Sequence, residues 1–364
     1  MNRDTCLSPA FLLSKALKLS HHIRGSPYFA HSLASSLSTY HASAVWRMVL
    51  VDLRNHGRTA DTEGLSPPHD TINAARDIAN LVKSLEWAWP DVVIGHSLGG
   101  KVALQYALSC ALGDYGVSAQ LPKQVWLLDA PPGKAENNSQ YEEVKKALLT
   151  LKTVPSPIPS KEWLVDHLTS LGLSKFLSEW FGSSLKKSGE HETFSFNING
   201  AIDMFESVVM EMDYWTFLEH PPKDIEIAIV RTDSKLTWGQ DLVERLESLA
   251  KKSSGKVSVD VVPNSGHWIY RDQPQMEMDH WEVLEHPPKG TETATERTES
   301  QLSWAADMIE RLESLAKRES DESTGKVSVD GLPTSGHYIY RDQPQMLLEI
   351  MTPRIASLVQ LPKC

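Results

Sequence analysis

Along the first third of the chain, short apolar runs bounded by polar or glycine-rich sequence alternate with stretches whose apolar residues return every third or fourth position. The first run, Trp46-Arg47-Met48-Val49-Leu50-Val51-Asp52, has the near-continuous hydrophobicity of a parallel strand covered on both faces. After the Pro67-Pro68 loop, Asp70 or Thr71 caps a helix whose apolar stripe is Ile72, Ala75, Ile78, Ala79, Val82 and Leu85. A second run, Val92-Val93-Ile94, leads into Gly95-His96-Ser97-Leu98-Gly99-Gly100 and then the helix-forming Lys101–Leu108. A third, Gln124-Val125-Trp126-Leu127-Leu128, ends at Asp129. Strands alternating with helices predict an α/β fold, a mostly parallel sheet with helices on both faces.

From Ala130 to about Pro222 that rhythm is lost, and the pattern turns helical and aromatic. Thr153-Val154-Pro155-Ser156-Pro157-Ile158-Pro159-Ser160 reads as a stiff linker into a helix at Lys161–Leu168, with Phe176, Trp180 and Phe181 at helical spacing beyond it. A helical insertion between sheet strands predicts a cap over the carboxyl edge of the sheet. Its aromatics could line an acyl pocket, but packing between helices accounts for most of them.

The last third is repetitive. Glu211–Met276 and Glu277–Met346 align almost residue for residue: Leu218-Glu219-His220-Pro221-Pro222-Lys223 returns as Leu284-Glu285-His286-Pro287-Pro288-Lys289. Two copies are too few for a solenoid, so the pattern reads as a partial duplication. Copy one has the apolar Ile225-Glu226-Ile227-Ala228-Ile229-Val230, whereas copy two has Thr291-Glu292-Thr293-Ala294-Thr295-Glu296, with no face to bury. Copy one is therefore expected in the sheet and copy two outside it. Only copy two precedes the amphipathic Leu347-Leu348-Glu349-Ile350-Met351, so a hybrid of copy one's first strand and copy two's second, Val327-Ser328-Val329-Asp330 (the counterpart of Val257-Ser258-Val259-Asp260), is the alternative.

The 364 residues suffice for one large α/β domain with an inserted cap, and the net charge of -11, without a basic patch, argues against nucleic acid or an anionic membrane as partner. Cys6, Cys110 and Cys364 are odd in number and far apart, which suggests neither a disulfide framework nor a metal site. No stretch is long and apolar enough to span a bilayer. Residues 1–45 carry Arg3, Lys15, Lys18 and Arg24 against Asp4 alone, with scattered serines. That balance is that of an organelle transit peptide, for a chloroplast or mitochondrion, or else of an unordered terminus on a cytoplasmic protein.

Candidate chemistry centres on Gly95-His96-Ser97-Leu98-Gly99. Strand, tight turn and helix around a glycine-flanked serine are the context of a nucleophile elbow, with the Leu98 backbone N–H as an oxyanion donor. His56 precedes the serine, lies in a turn and reads as structural. Two carboxylates follow later strands, Asp129 and Asp233, and each repeat copy ends in a glycine-histidine turn, Gly266-His267 and Gly336-His337. Either histidine stands downstream of the serine, where it could take its proton.

The set Val51-Asp52-Leu53-Arg54-Asn55-His56-Gly57-Arg58, Gly95-His96-Ser97-Leu98-Gly99-Gly100-Lys101, Leu128-Asp129-Ala130-Pro131 and Pro263-Asn264-Ser265-Gly266-His267-Trp268 resembles the small acyl-esterase branch of the α/β-hydrolase superfamily, found in bacteria, mitochondria and plants. The resemblance covers residues 46 to about 276. It implies an α/β-hydrolase fold with Ser97 as nucleophile, His267 as base and Asp129 as the acid. In many relatives the acid follows the next strand, which is Asp233 here; the Asp129-Ala130-Pro131 context favours Asp129. Relatives also carry a His-Gly loop that donates a second oxyanion N–H, and this chain has no such loop. No convincing strand precedes Trp46, so the fold is expected to be incomplete at its N-terminus.

The organisation that follows is an N-terminal segment at 1–45, a hydrolase core at 46–133 and 223–276, a helical cap at 134–222, a partial duplicate at 277–346 and a C-terminal helix and tail at 347–364. The expected activity is cleavage of a small-molecule ester or thioester without cofactor or metal. Its rivals are a catalytically impaired relative that binds a small molecule or a protein, and an imperfectly assembled gene product. Oligomeric state is left open.

Overall fold

The computed structural model describes residues 10–15, 33, 37, 46–62, 64–134, 139–208, 213–233, 237–263 and 344–358. At their centre a six-stranded sheet joins β1 (Ala10–Lys15), β2 (Trp46–Val51), β3 (Val92–His96), β4 (Gln124–Leu128), β7 (Glu226–Thr232) and β8 (Val257–Val262), in the order β2-β1-β3-β4-β7-β8. A separate two-stranded hairpin is made of β5 (Leu185–Ser188) and β6 (His191–Phe194). Strands β3, β4, β7 and β8 run parallel, so their carboxyl ends share one edge.

The strands are apolar at nearly every position because both faces of the sheet are covered. On one face Val93, Val125, Leu127, Ile227 and Ile229 pack with α1 (Thr71–Ser84), α2 (Leu98–Leu112) and Leu246 of α8 (Gln240–Lys252). On the other, Val92, Ile94, Trp126, Leu128, Ala228 and Val230 meet Leu33, Leu37 and α9 (Pro344–Ala356). The alternation is the two-residue period of a strand, carried by side chains that are all apolar. Asp70 caps α1, its carboxylate accepting from the Asn73 N–H at 2.7 Å.

Both strands of copy one, β7 and β8, lie in the sheet, as their apolar pattern requires, and the hybrid with copy two's second strand is not the arrangement found. Copy two falls outside the described residues except for its last three, Pro344–Met346, which open α9. The helix buries Leu347, Met351 and Ile355 against the sheet. Arg354 fixes its position: Nη1 meets Asp260 at 3.0 Å, Nη2 donates to Ser258 Oγ at 2.7 Å, and the guanidinium stacks 4.5 Å from the Trp126 ring centre. A closing helix that follows copy two thus packs on a strand supplied by copy one.

The N-terminal segment differs from its sequence reading. Ala10–Lys15 is a strand, although Phe11-Leu12-Leu13 is too short an apolar run to stand out among neighbouring serines and lysines. It lies directly beside β3 and runs antiparallel to both β2 and β3, with Ala10 opposite Gly95 and Leu13 opposite Val92.

The cap comprises α3 (Ser139–Leu151), α4 (Lys161–Ser170), α5 (Lys175–Ser183), the β5-β6 hairpin and α6 (Ile198–Glu206). It is not purely helical as expected. Gly189, at φ 63°, turns the chain between Ser188 and His191 and lets two short strands pair. Leu148, Leu164, Leu168, Phe181 and Phe196 form a core of the cap's own, so Phe181 is a packing residue. The returning α7 (Trp215–Glu219) instead buries Trp215, Phe217 and Leu218 in the core of the sheet. No helix among the described residues is long and apolar enough to cross a membrane.

Candidate active site

Ser97 stands between β3 and α2 at φ 52° and ψ -118°, a backbone conformation that a residue with a side chain rarely adopts. Such strain costs on the order of 1–3 kcal/mol and persists only where the surroundings dictate it. Here they do. The Ser97 N–H donates to the Leu128 carbonyl at 3.0 Å, continuing the sheet ladder, while the Ser97 carbonyl accepts from the Gly100 N–H at 3.0 Å. The flanking glycines are a steric requirement. A Cβ on Gly95 would lie 2.0 Å from the Gly99 carbonyl oxygen, and one on Gly100 would lie 2.4 Å from the Ala130 Cβ. The sequence therefore folds to a sharp strand-turn-helix, with Leu98 opening α2 and contributing its first N–H groups and positive dipole end beside the serine.

On the neighbouring strand, Asp129 occupies the equivalent place. It too has a positive φ, 46°, and its N–H donates to the Val230 carbonyl at 2.8 Å. Its side chain is completely buried. Three donors converge on Oδ1: the Thr232 N–H at 3.1 Å, the Thr232 hydroxyl at 3.0 Å and the Trp238 indole N–H at 2.5 Å. Asp233, one residue beyond the end of β7, is exposed. The structure thus separates two carboxylates that the sequence left as alternatives in the same role: one is enclosed beside the elbow, and the other stands in solvent.

The histidines His267 and His337 lie outside the described residues. Strand β8, which leads toward His267, runs parallel to β3, so the chain leaves Val262 at the edge where Ser97 sits. His56 is placed as a structural residue. Its Nδ1–H donates to the Arg54 carbonyl at 2.8 Å, its ring stacks on Phe196 of the cap at 6.4 Å, and the adjacent Asn55 carbonyl accepts from the Asn197 N–H at 2.8 Å. Burial lowers its pKa below the ordinary histidine value, opposed by the bond to Arg54.

Leu98 opens α2 directly after Ser97, and β1 runs antiparallel to β3. Among the described residues no three His, Cys, Asp or Glu side chains gather as a metal would need.

Sequence reasoning missed two features. Trp238 and Thr232 secure Asp129; the signal was a tryptophan in a polar loop whose Leu236-Thr237-Trp238 context returns as Leu302-Ser303-Trp304. Lys101, the last residue of the elbow motif, is buried at 4% exposure. Burial pushes its pKa down to about 8, with the charge of Asp213 opposing.

The alpha/beta hydrolase family matches residues 20–278. The chain belongs to that family. Over 267 residues it is 24% identical to the sn-1-specific diacylglycerol lipase ABHD11 of Danio rerio, covering 72% of this chain and 75% of the relative. Protein phosphatase methylesterase 1 of Gibberella zeae is 23% identical over 292 residues, 71% of this chain and 62% of that one. In three dimensions the fold matches a marine microorganism esterase with a TM-score of 0.50 at 18% identity, over 74% of this chain and 97% of the esterase.

Proposed function

We propose that the chain is a serine hydrolase cleaving a carboxylic ester or thioester through an acyl-enzyme on Ser97. In this reading the Ser97 hydroxyl attacks the carbonyl carbon while His267 takes its proton. The tetrahedral oxyanion forms at the Leu98 N–H, and His267 returns the proton to the departing alcohol or thiol. Water then repeats the sequence and frees the acid. Asp129 holds the imidazole in the right tautomer and stabilises its cation. The observation that carries the reading is the strained Ser97 turn standing one strand away from a fully buried, triply bonded carboxylate. Relatives named lipase and methylesterase support the same bond class.

A second reading, an impaired relative that binds a small molecule or a protein, draws on the antiparallel β1 beside the elbow strand and on the lack of a His-Gly oxyanion loop in the sequence. Loss of one oxyanion donor costs about two to three orders of magnitude in rate, so slow turnover separates the readings poorly. Pre-steady-state hydrolysis of a p-nitrophenyl ester does better. A burst of nitrophenol matching the enzyme concentration, absent in Ser97→Ala, is expected for an acyl-enzyme; saturable binding of the ester without any burst would favour the binding protein.

A further inference from the structure

One face of α2 is polar although the helix is buried on nearly every side. Lys101, Gln105 and Ser109 recur at every fourth position and are all buried. Residues at that spacing share a face, so the stripe looks in one direction. Its partners tell where. Lys101 Nζ donates to the Gly133 carbonyl at 2.5 Å and to the Val208 carbonyl at 3.1 Å. Gln105 Oε1 accepts from the Tyr214 hydroxyl at 3.2 Å, and Gln105 Nε2 donates to Ser109 Oγ at 3.1 Å. Gly133 lies on the segment by which the chain leaves β4 for the cap; Val208 follows α6, and Tyr214 lies just before α7 on the way back. The outgoing and returning segments are also joined directly, the Tyr214 N–H donating to the Pro132 carbonyl at 3.3 Å.

We propose that Lys101 is a positioning residue that fixes the cap over Ser97 by holding the two chain segments on which the cap is mounted. Its backbone N–H bonds the Ser97 carbonyl at 3.4 Å, so one residue is tied to the elbow by its main chain and to both cap stalks by its side chain. A burial this deep disfavours the ammonium, and the two carbonyls with the charge of Asp213 offset only part of that cost. The same residue ties the stalks to the elbow, so on the hydrolase reading it acts on substrate selection and leaves the chemistry to the serine.

Lys101→Met keeps the length of the stem and removes every donor. Amide exchange followed by mass spectrometry is expected to speed up about tenfold or more in peptides covering Gly133–Lys134, Glu206–Val208 and Tyr214–Leu218, with β3 and β4 unchanged. Equal acceleration in the stalks and in β3 and β4 would reduce Lys101 to a general stabiliser, and unchanged stalks would overturn the proposal. If the variant does not fold, acylation of lysines in the wild-type chain serves instead. Lys101 should react far more slowly than the half-exposed Lys123, at the rate at which the stalk amides open; a Lys101 that reacts as fast as Lys123 would contradict the latch. These readouts need no turnover. A further arm rests on the hydrolase reading: in Lys101→Met the preference for long over short acyl esters should fall through KM, and a fall in kcat alone on both would place the residue elsewhere.

Discussion

Asp129 and Asp233 follow adjacent strands at one edge of one sheet, and by chain order either could be the acid of a hydrolase. What separates them is enclosure. Asp129 is sealed behind Thr232 and Trp238, with its Oδ1 fully engaged, whereas Asp233 meets solvent. A carboxylate whose orientation is fixed by three donors can hold an imidazole in one pose. The proposed mechanism therefore assigns the role of acid to Asp129, whose strand end is followed, on the next strand, by the groups that pin it.

The sharpest tests replace one member of a pair at a time. The two repeat copies offer the largest contrast: His267→Ala should lower ester hydrolysis by about six orders of magnitude if it is the base, while His337→Ala should leave the rate nearly unchanged. Asp129→Asn is expected to cost about four orders of magnitude, and Asp233→Asn less than about twofold. The reverse ranking would move the acid to β7.

Lys101 extends the comparison to a buried charge of opposite sign. Below its folded value of about 8 the lysine is protonated in both folded and unfolded chains, and the folded state bears the whole cost of the buried charge. Between about 8 and the unfolded value of 10.5 only the unfolded chain keeps the proton, so stability rises with pH. Denaturant titrations of wild type and Lys101→Met should diverge over that window by about 3 kcal/mol in favour of wild type, and parallel curves would contradict the burial. The smallest effect belongs to Trp238→Phe, which removes one donor from Asp129 and should lower kcat about tenfold with little change in KM.

Much of this was legible in the sequence. The apolar runs that became β3, β4 and β7 are covered on both faces, and a doubly buried strand cannot disguise its composition. Ser97 was legible because the elbow demands Gly95 and Gly100 by steric exclusion. Strand β1 was not, because six residues that include Ser14 and Lys15 carry too little pattern, and its reversed direction is set by pairing that no local signal encodes. The β5-β6 hairpin hid in a stretch of Lys, Ser and Glu whose exposed faces have no apolar period. Trp238 and the acceptors of Lys101 were illegible for another reason: their partners lie far away in sequence, at Asp129, Gly133 and Val208.

The most direct test of Ser97 as an activated nucleophile is covalent capture. A fluorophosphonate probe added to the full-length chain should form one adduct, mapped by peptide mass spectrometry to Ser97, because only a serine with its base in place attacks phosphorus at a useful rate. Ser97→Ala should remove the adduct and Asp129→Asn should slow its formation. A folded wild-type chain that stays unlabelled, or an adduct that persists in Ser97→Ala, would contradict the proposed acyl-enzyme.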